Sequence, residues 1–280
     1  MKKYLAVFDS YKFSKSTLNY AIQLAQLTNA QLTGVFLDEF IYYSYDWSKI
    51  YKTSENPEVT IKELELKDKQ KRDNAVKFFQ QVCSKAKIHF NIHRDKKNAI
   101  EELKYESMFA DLVIINKYET FTRLKQKPPT RFIKDLLNGV QCPVLVVPGT
   151  FISLDKIIIL YDGKPSSLHA FKMFSYLLEC LKQLPVEIFT VNDSLTANSR
   201  LPDNKLMREL INRHYPGAKI TVVDGSAEEE IVGYLRNHKE NELVVLGGYQ
   251  RSEISRFFKI SMADTLMKEL NIPLFITHSK

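Results

Sequence analysis

The chain of 280 residues has only three cysteines, Cys83, Cys142 and Cys180, odd in number and widely spaced. That usage fits a reducing compartment, so the expected location is cytoplasmic. No apolar run approaches the ~18–20 residues that a membrane-spanning helix needs, and no membrane role is expected. The opening MKKYLAVFDS is too short in its apolar part for a secretion signal and lacks a small-residue cleavage site. The six histidines (His89, His93, His169, His214, His238 and His278) show no metal-ligand spacing with carboxylates or thiols. His89 and His93 share one face of a strand-like segment, but they read as surface residues, and no metal is expected. No Ser-His-Asp or Cys-His order marks a nucleophile, and Cys142 before Pro143 reads as a packing position, so no catalytic residue is assigned. The net charge of +7 comes from lysines interspersed with acids, as in IKELELKDKQKRD (Ile61–Asp73). This is the pattern of a solvated helix face, and no motif for specific nucleic-acid binding accompanies it.

The chain states one pattern twice. Lys3–Ser10 reads KYLAVFDS and Lys156–Gly163 reads KIIILYDG, each an apolar run closed by Asp and followed by a Ser-containing helix start. Ala110–Tyr118 (ADLVIINKY) recurs as Asn241–Tyr249 (NELVVLGGY), and each half closes on a strand entered through Pro, CPVLVVP (Cys142–Pro148) and IPLFITH (Ile272–His278). A repeat of ~140 residues is too long for a solenoid unit and suits a duplicated domain. The expected domains are 1–150 and 151–280.

Within the first half, strands are expected at Tyr4–Phe8, Gln31–Leu37, Ile88–Ile92, Leu112–Ile115 and Val144–Val147. Leu18, Ala21, Ile22 and Ala25 form one face of a helix, and a long exposed helix runs from about Val59 to Lys85 with Leu64, Val76, Phe79 and Val82 toward the core. Ala99–Met108 and Arg131–Leu137 complete the helices. The second half repeats the series: Ile157–Leu160, a helix Ser166–Leu181, Val186–Val191, Lys205–His214, Lys219–Val223, Ala227–Arg236, Leu243–Leu246, a helix Phe257–Leu270, and Leu274–Thr277. Apolar strands without clean alternation are buried on both faces. The fold class is therefore α/β: two tandem doubly wound domains, each with a parallel sheet covered by helices on both sides. A separate sheet is expected in each half, with the short connector Phe151–Asp155 allowing little relative freedom.

The halves differ in length. Asp9 to Asp111 is 102 positions and Asp162 to Glu242 is 80, so the first half carries about 22 extra residues. The insertion is assigned near 38–58, DEFIYYSYDWSKIYKTSENPE, with the only Trp (Trp47) and Tyr42, Tyr43, Tyr45 and Tyr51. It reads as a strap packed on its own domain, or as a partner surface or plug over the cleft.

Ligands of an open parallel sheet bind beyond the C-terminal strand ends, at the switch point. Three places in each half fall there. The Asp ending the first strand can accept from a ribose hydroxyl or base amino group, or can cap the next helix in competition with Ser14 or Ser167; Asp9 reads first as a cap, and Asp162 as either. The end of the second strand lies near Leu37 and Val191. The third place follows the fourth strand. In the second half it reads GGYQRSEISRFFKISMAD (Gly247–Asp264), with Gly247 and Gly248 for close backbone approach, Ser252, Ser255 and Ser261 as hydroxyls, and Arg251 and Arg256 as charge. The first-half counterpart, NKYETFTRLKQKPPTRF (Asn116–Phe132), has no glycine, and Pro128-Pro129 removes two donors.

Over essentially its whole length the chain resembles the universal stress protein family as a tandem pair. The resemblance rests on Asp-x4-Ser at both helix starts, on LVVLGGYQRSEISRFF and on CPVLVVP. It implies five parallel strands per domain in an adenine nucleotide alpha hydrolase-like, Rossmann-like fold, and ATP or another adenine nucleotide as cofactor. The family signature is Gly-x2-Gly-x9-Gly-Ser/Thr. Gly247 matches its first position and Ser261 its last, while Gln250 and Ile260 replace the other glycines. A Cβ at either replaced position blocks backbone approach, although Gln250 retains an amide donor. The resemblance implies Asp162 and Val191 against the adenosine and Gly247, Gly248, Gln250, Arg251 and Ser261 around the phosphates.

The family's usual dimer contact implies pairing of the two halves through Val144–Val147 and Leu274–Thr277; a homodimer and an unidentified protein partner are further expectations. The implied function is a stress-response protein that acts by interaction, gated by adenine nucleotide in the second domain. The alternatives are a weak ATP hydrolase, with Asp264 or Glu253 invoked, and a nucleotide-independent scaffold that presents the Tyr-rich segment to a partner.

Overall fold

The computed structural model describes residues 1–9, 12–37, 47–95, 98–122, 125–192, 200–237, 241–248 and 261–278. Its first half runs β1 (Lys3–Asp9), α1 (Lys15–Thr28), β2 (Gln31–Leu37), α2 (Trp47–Thr53), α3 (Pro57–Lys85), β3 (Phe90–Asp95), α4 (Ala99–Ser107), β4 (Leu112–Asn116), α5 (Arg131–Leu137) and β5 (Val144–Val147). Its second half runs β6 (Lys156–Leu160), α6 (Pro165–Leu177), β7 (Val186–Asn192), α7 (Asn204–His214), β8 (Lys219–Asp224), α8 (Ala227–Asn237), β9 (Glu242–Gly247), α9 (Met262–Glu269) and β10 (Leu274–Thr277).

The strands lie in the order β3-β2-β1-β4-β5-β10-β9-β6-β7-β8, so each half has the same five-strand order, read outward from the middle. Every pairing within a half is parallel. The expectation of separate sheets is corrected: the sheet is continuous. The junction is the expected one, β5 against β10, and it is the sheet's only antiparallel pairing among the described residues, with Leu145 opposite Phe275 and Val144 opposite Ile276. Pairing each half's last strand also removes two exposed edges.

Helices cover both faces. One apolar layer joins Leu18, Ala21 and Leu24 of α1, Phe79 of α3, and Phe171 and Phe174 of α6, and crosses the junction at the Leu145–Phe275 pair, where Phe174 meets Phe275 edge-on at 5.2 Å. The opposite layer joins Leu103, Ile133, Leu136, Ile231, Leu235 and Leu266 from α4, α5, α8 and α9. The connector is anchored rather than loose: Phe151 packs on Tyr20 at 4.8 Å, and the Ile152 N–H donates to the Tyr20 hydroxyl at 3.3 Å.

Several expected boundaries move for local reasons. Ser14 caps α1 by accepting from the Thr17 N–H at 3.1 Å, and Asn29 closes the helix at φ 50°, a conformation asparagine tolerates. Strand β3 starts two residues later than expected, because Lys87 (φ 55°) and the Ile88 N–H bonded to Cys83 O still belong to the end of α3. The single helix expected at Ser166–Leu181 is α6 followed by a 3-10 turn at Glu179–Leu181, broken at Leu178 (φ −113°, ψ 43°). In α3, Val76, Phe79 and Val82 meet the core, but Leu64 is only half-buried and joins neither layer. At 29 residues α3 is ~44 Å long, about twice a seven-residue strand, so its first turns pass beyond the sheet. Of the aromatic insertion, residues 38–46 lie outside the described residues, and Tyr51 on α2 is exposed. The start of the expected Phe257–Leu270 helix also lies outside them; the described part, α9, begins at Met262. No described helix is long and apolar enough to cross a membrane.

Candidate functional site

In each half the chain leaves the first strand in one direction and returns to its other side, which opens a crevice at the C-terminal ends of β1/β4 and of β6/β9. Tyr4 faces Leu112 as Ile157 faces Leu243, so Asp9 and Asp162 are equivalent positions, as are Asn116 and Gly247, and Lys117 and Gly248.

Asp162 is not a helix cap. Helix α6 begins at Pro165 with Lys164 as its N-cap residue, and no side chain caps it. The Asp162 Oδ1 instead accepts from the Ser167 hydroxyl at 2.6 Å and from the Lys164 N–H at 3.0 Å, while Oδ2 lies 3.2 Å from the Lys164 ammonium. Burial alone would raise this carboxyl, but the hydrogen bonds from Ser167 and Lys164 outweigh it and hold the group below its ordinary value. Its side chain remains 49% exposed, so an ionised acceptor faces outward at the crevice.

Gly247 stands beside it. A Cβ at Gly247 would lie 2.5 Å from the main-chain carbon and oxygen of Ser166. The strand end and the first turn of α6 thus approach as closely as backbones can, the use of glycine that helix–strand packing demands. Gly248 is equally confined: its N–H donates to Thr277 O at 2.8 Å, and a Cβ would lie 2.6 Å from Ile276 Cγ2. Val191 is half-buried at the C-terminal end of β7, opposite Val223. Ser261 caps α9, its Oγ accepting from the Asp264 N–H at 3.1 Å. That bond leaves the hydroxyl hydrogen for another acceptor. Gln250 and Arg251 lie outside the described residues, with Ser252, Ser255, Arg256, Glu253 and Ile260. Asp162 and Gly247 are therefore brought together through Ser166–Ser167, with Val191 on the adjacent strand.

The first-half crevice carries different side chains at the equivalent positions. Asn116, in place of Gly247, donates to Ser14 Oγ at 3.2 Å and Pro148 O at 3.0 Å. Lys117, in place of Gly248, is buried and reaches across the junction to Met267 O at 3.2 Å and Leu270 O at 2.7 Å at the end of α9. Asp9 does not cap α1, a role that Ser14 takes; its Oδ1 accepts from the Lys12 N–H at 3.4 Å. Beside it sits Glu119, only 5% exposed, whose carboxyl is pushed well above its ordinary value by burial and then by the Asp9 charge, against the pull of Lys12. Leu37, at the end of β2, is buried.

A sequence relative, a universal stress protein of Synechocystis sp. (strain ATCC 27184 / PCC 6803 / Kazusa), is 22% identical over 179 residues, 63% of this chain and 60% of that protein. The match thus spans less than two thirds of the relative's length. No family model matches the chain. The crystal structure of a universal stress protein from Archaeoglobus fulgidus superposes with a TM-score of 0.63 at 14% identity, covering 99% of this chain and 98% of that one. A Pseudomonas aeruginosa structure assigned to the same family gives 0.65 at 15% identity over 99% and 93%. The sequence relative and the solved structures of like fold are universal stress proteins, and the chain shares their fold.

Within that fold the chain is lopsided. The lack of glycine after β4 in its first half is plain in the sequence, but the bonds that Asn116 and Lys117 make there are not. The alignment of NKY on GGY carried that signal. Glu119 was missed outright, since one more acid in a polar loop has no periodicity to reveal its burial.

Proposed function

We propose that the chain is a universal stress protein that acts by interaction and that adenine nucleotide binding in its second half gates that action. In this reading Asp162 accepts from the adenosine and Val191 packs against it. Gly247, Gly248, Gln250, Arg251 and Ser261 surround the phosphates. The observation that carries the reading is the asymmetry of two equivalent crevices. The second presents an outward ionised Asp162, a glycine pair and an uncapped α6 N-terminus. The first has Asn116 and Lys117 in place of the glycine pair, each bonded to main-chain oxygens, and Glu119 buried next to Asp9.

The described residues fit a nucleotide at its edges. Asp162 offers an acceptor suited to a ribose hydroxyl or a base amino group. Ser261 keeps a hydroxyl hydrogen for a phosphate oxygen while it caps α9. Main-chain amides at the start of α6 add donors and a favourable dipole. The space beside Gly247 is taken by Ser166, so the phosphates must lie outward of that glycine. Isothermal titration of the full chain with ATP and AMP is the test. Saturable heat at one site per chain, weakened at least tenfold by Asp162→Ala, is expected. Absence of heat at millimolar nucleotide sinks the gating and leaves only the interaction.

A further inference from the structure

The junction between the halves has an approximate two-fold axis through the Leu145–Phe275 pair, because Val144 faces Ile276 as Leu274 faces Val146. Helices α1 and α6 are exchanged by it. Counting on from Asp9 and Asp162, Ser16 is equivalent to His169 and Tyr20 to Met173. The burial of the two helices keeps this register, since Thr17 and Ala170, Leu18 and Phe171, and Ala21 and Phe174 are all buried. At the two polar-facing positions the halves differ. Ser16 is 3% exposed and Tyr20 0%, whereas His169 and Met173 are only half-buried. In the first half the chain itself provides the cover as it leaves β5. Ser16 donates to Pro148 O at 2.7 Å, Phe151 meets the Tyr20 ring edge-on at 4.8 Å, and the Ile152 N–H donates to the Tyr20 hydroxyl at 3.3 Å. At the other end of the junction, where β10 finishes beside the start of β5, there is a cavity of about 420 Å³. Val140, Cys142 and Pro143 line it from the first half, and His169, Met173 and Thr277 from the second. Its size falls in the range of small-molecule sites.

We infer that this cavity binds a small uncharged aromatic compound, its ring against Met173. The chain shows what packs at this place, because in its first half it lays the ring of Phe151 on Tyr20, the residue equivalent to Met173. A thioether suits the same occupant, since methionine sulfur makes favourable contacts with ring edges and the flexible side chain adapts to them. The neutral ring of His169 offers a second edge or face. Burial and then Lys172 hold His169 below its ordinary value, so it carries no charge at pH 7. The described lining has no carboxylate, ammonium or guanidinium, and a charged ligand would lose its water there without gaining a counter-ion. None of Asp162, Val191, Gly247 and Ser261 lines the cavity, and the inference does not depend on nucleotide binding.

The test uses the full chain labelled at its methionine methyls, titrated by NMR with benzyl alcohol, cyclohexylmethanol, benzylammonium and benzoate. Benzyl alcohol should move the Met173 methyl saturably and upfield, as a ring laid on it does. Its midpoint should be at least threefold below that of cyclohexylmethanol and at least tenfold below those of the two ions. Met108, exposed on the surface of the first half, should stay still. Met173→Phe puts a ring of the chain's own at the site. Read at the His169 ring protons in both proteins, this variant should need at least tenfold more benzyl alcohol while its far-UV circular dichroism matches the wild type. If the variant does not fold, the four wild-type titrations decide. A Met173 methyl that stays still, a non-saturating shift, cyclohexylmethanol or either ion matching benzyl alcohol, or wild-type affinity in folded Met173→Phe overturns the proposal.

Discussion

Lys117 Nζ donates to the main-chain oxygen of Leu270 at 2.7 Å and so ties the end of β4 to the end of a helix in the other half. Lys2 does the same in a second place, with its Nζ 3.2 Å from Tyr176 O and 2.5 Å from Leu177 O at the end of α6. Both clamps put a cation where the helix dipole favours one. The Lys117 clamp is the more buried, and burial holds its ammonium below the usual lysine range.

Lys117→Met keeps the apolar stem and removes the charge-assisted bonds. Hydrogen bonds of this type contribute about 1.5–3 kcal/mol each when a partner is lost. The expected outcome is a loss of about 2 kcal/mol in urea unfolding. A native-state exchange experiment should show the amides of α9 opening sooner than those of α4. Unchanged stability would mean that water serves the two carbonyls equally well.

Glu187 on β7 is fully buried and accepts from Thr221 at 2.5 Å, Tyr234 at 2.8 Å, Lys156 at 2.9 Å and Lys219 at 3.0 Å. Burial would raise its carboxyl, yet these donors prevail and bring it from 4.5 down to about 2. A carboxyl lowered in the folded state adds stability that is fully present above its unfolded value and is lost as pH falls through the folded one. We predict a decline of about 3 kcal/mol in unfolding free energy between pH ~4.5 and pH ~2 that comes from this one group. Glu187→Gln should flatten that part of a stability–pH profile. A mutant profile parallel to the wild type would assign the acid sensitivity elsewhere.

Two glycines make opposite predictions. Gly247→Ala forces a Cβ onto the Ser166 main chain at 2.5 Å, and neither backbone can give way without moving β9 from α6. A loss of about 1–3 kcal/mol is expected. Gly233 lies inside α8, and a Cβ there would meet nothing within 4 Å, so Gly233→Ala should stabilise by about 0.5–1 kcal/mol through helix propensity. Thermal melts of the two single variants check both signs.

What could be read from the sequence followed its periodicities. The doubled KYLAVFD/KIIILYD pattern, the Pro-entered closing strands and the face through Leu18, Ala21 and Ala25 all reflect burial that each residue type declares for itself. The roles of the polar residues were less legible, because they depend on partners far along the chain. Gly247 reads as a phosphate glycine, and nothing in the sequence shows that it also packs against the Ser166 main chain. Lys117 reads as a surface lysine, since its acceptors lie 150 and 153 positions away. Asp9 looks like a cap in sequence and Asp162 like either a cap or a ligand contact, yet Ser14 and the Lys164–Pro165 step start the two helices. The continuous sheet had the same origin: the seam strands were identified, but pairing them merges the sheets.

Ser261 allows the structural and ligand roles at the proposed nucleotide site to be separated. Its Oγ caps α9 by accepting from the Asp264 N–H, while its hydrogen remains for a phosphate. Ser261→Ala removes both functions. It should cost about 1 kcal/mol of stability and also weaken ATP. Ser261→Asp keeps an acceptor at the N-cap and adds a negative charge that the α9 dipole welcomes, so stability should stay within about 0.5 kcal/mol of the wild type. The same charge would oppose a phosphate, so ATP affinity should fall at least tenfold, while adenosine, which has no phosphate, should bind both variants as it binds the wild type. Parallel calorimetric titrations with ATP and adenosine, with urea unfolding of each variant, give the comparison. If Ser261→Asp binds ATP as tightly as the wild type, Ser261 is a helix cap and nothing more, and the phosphates belong elsewhere.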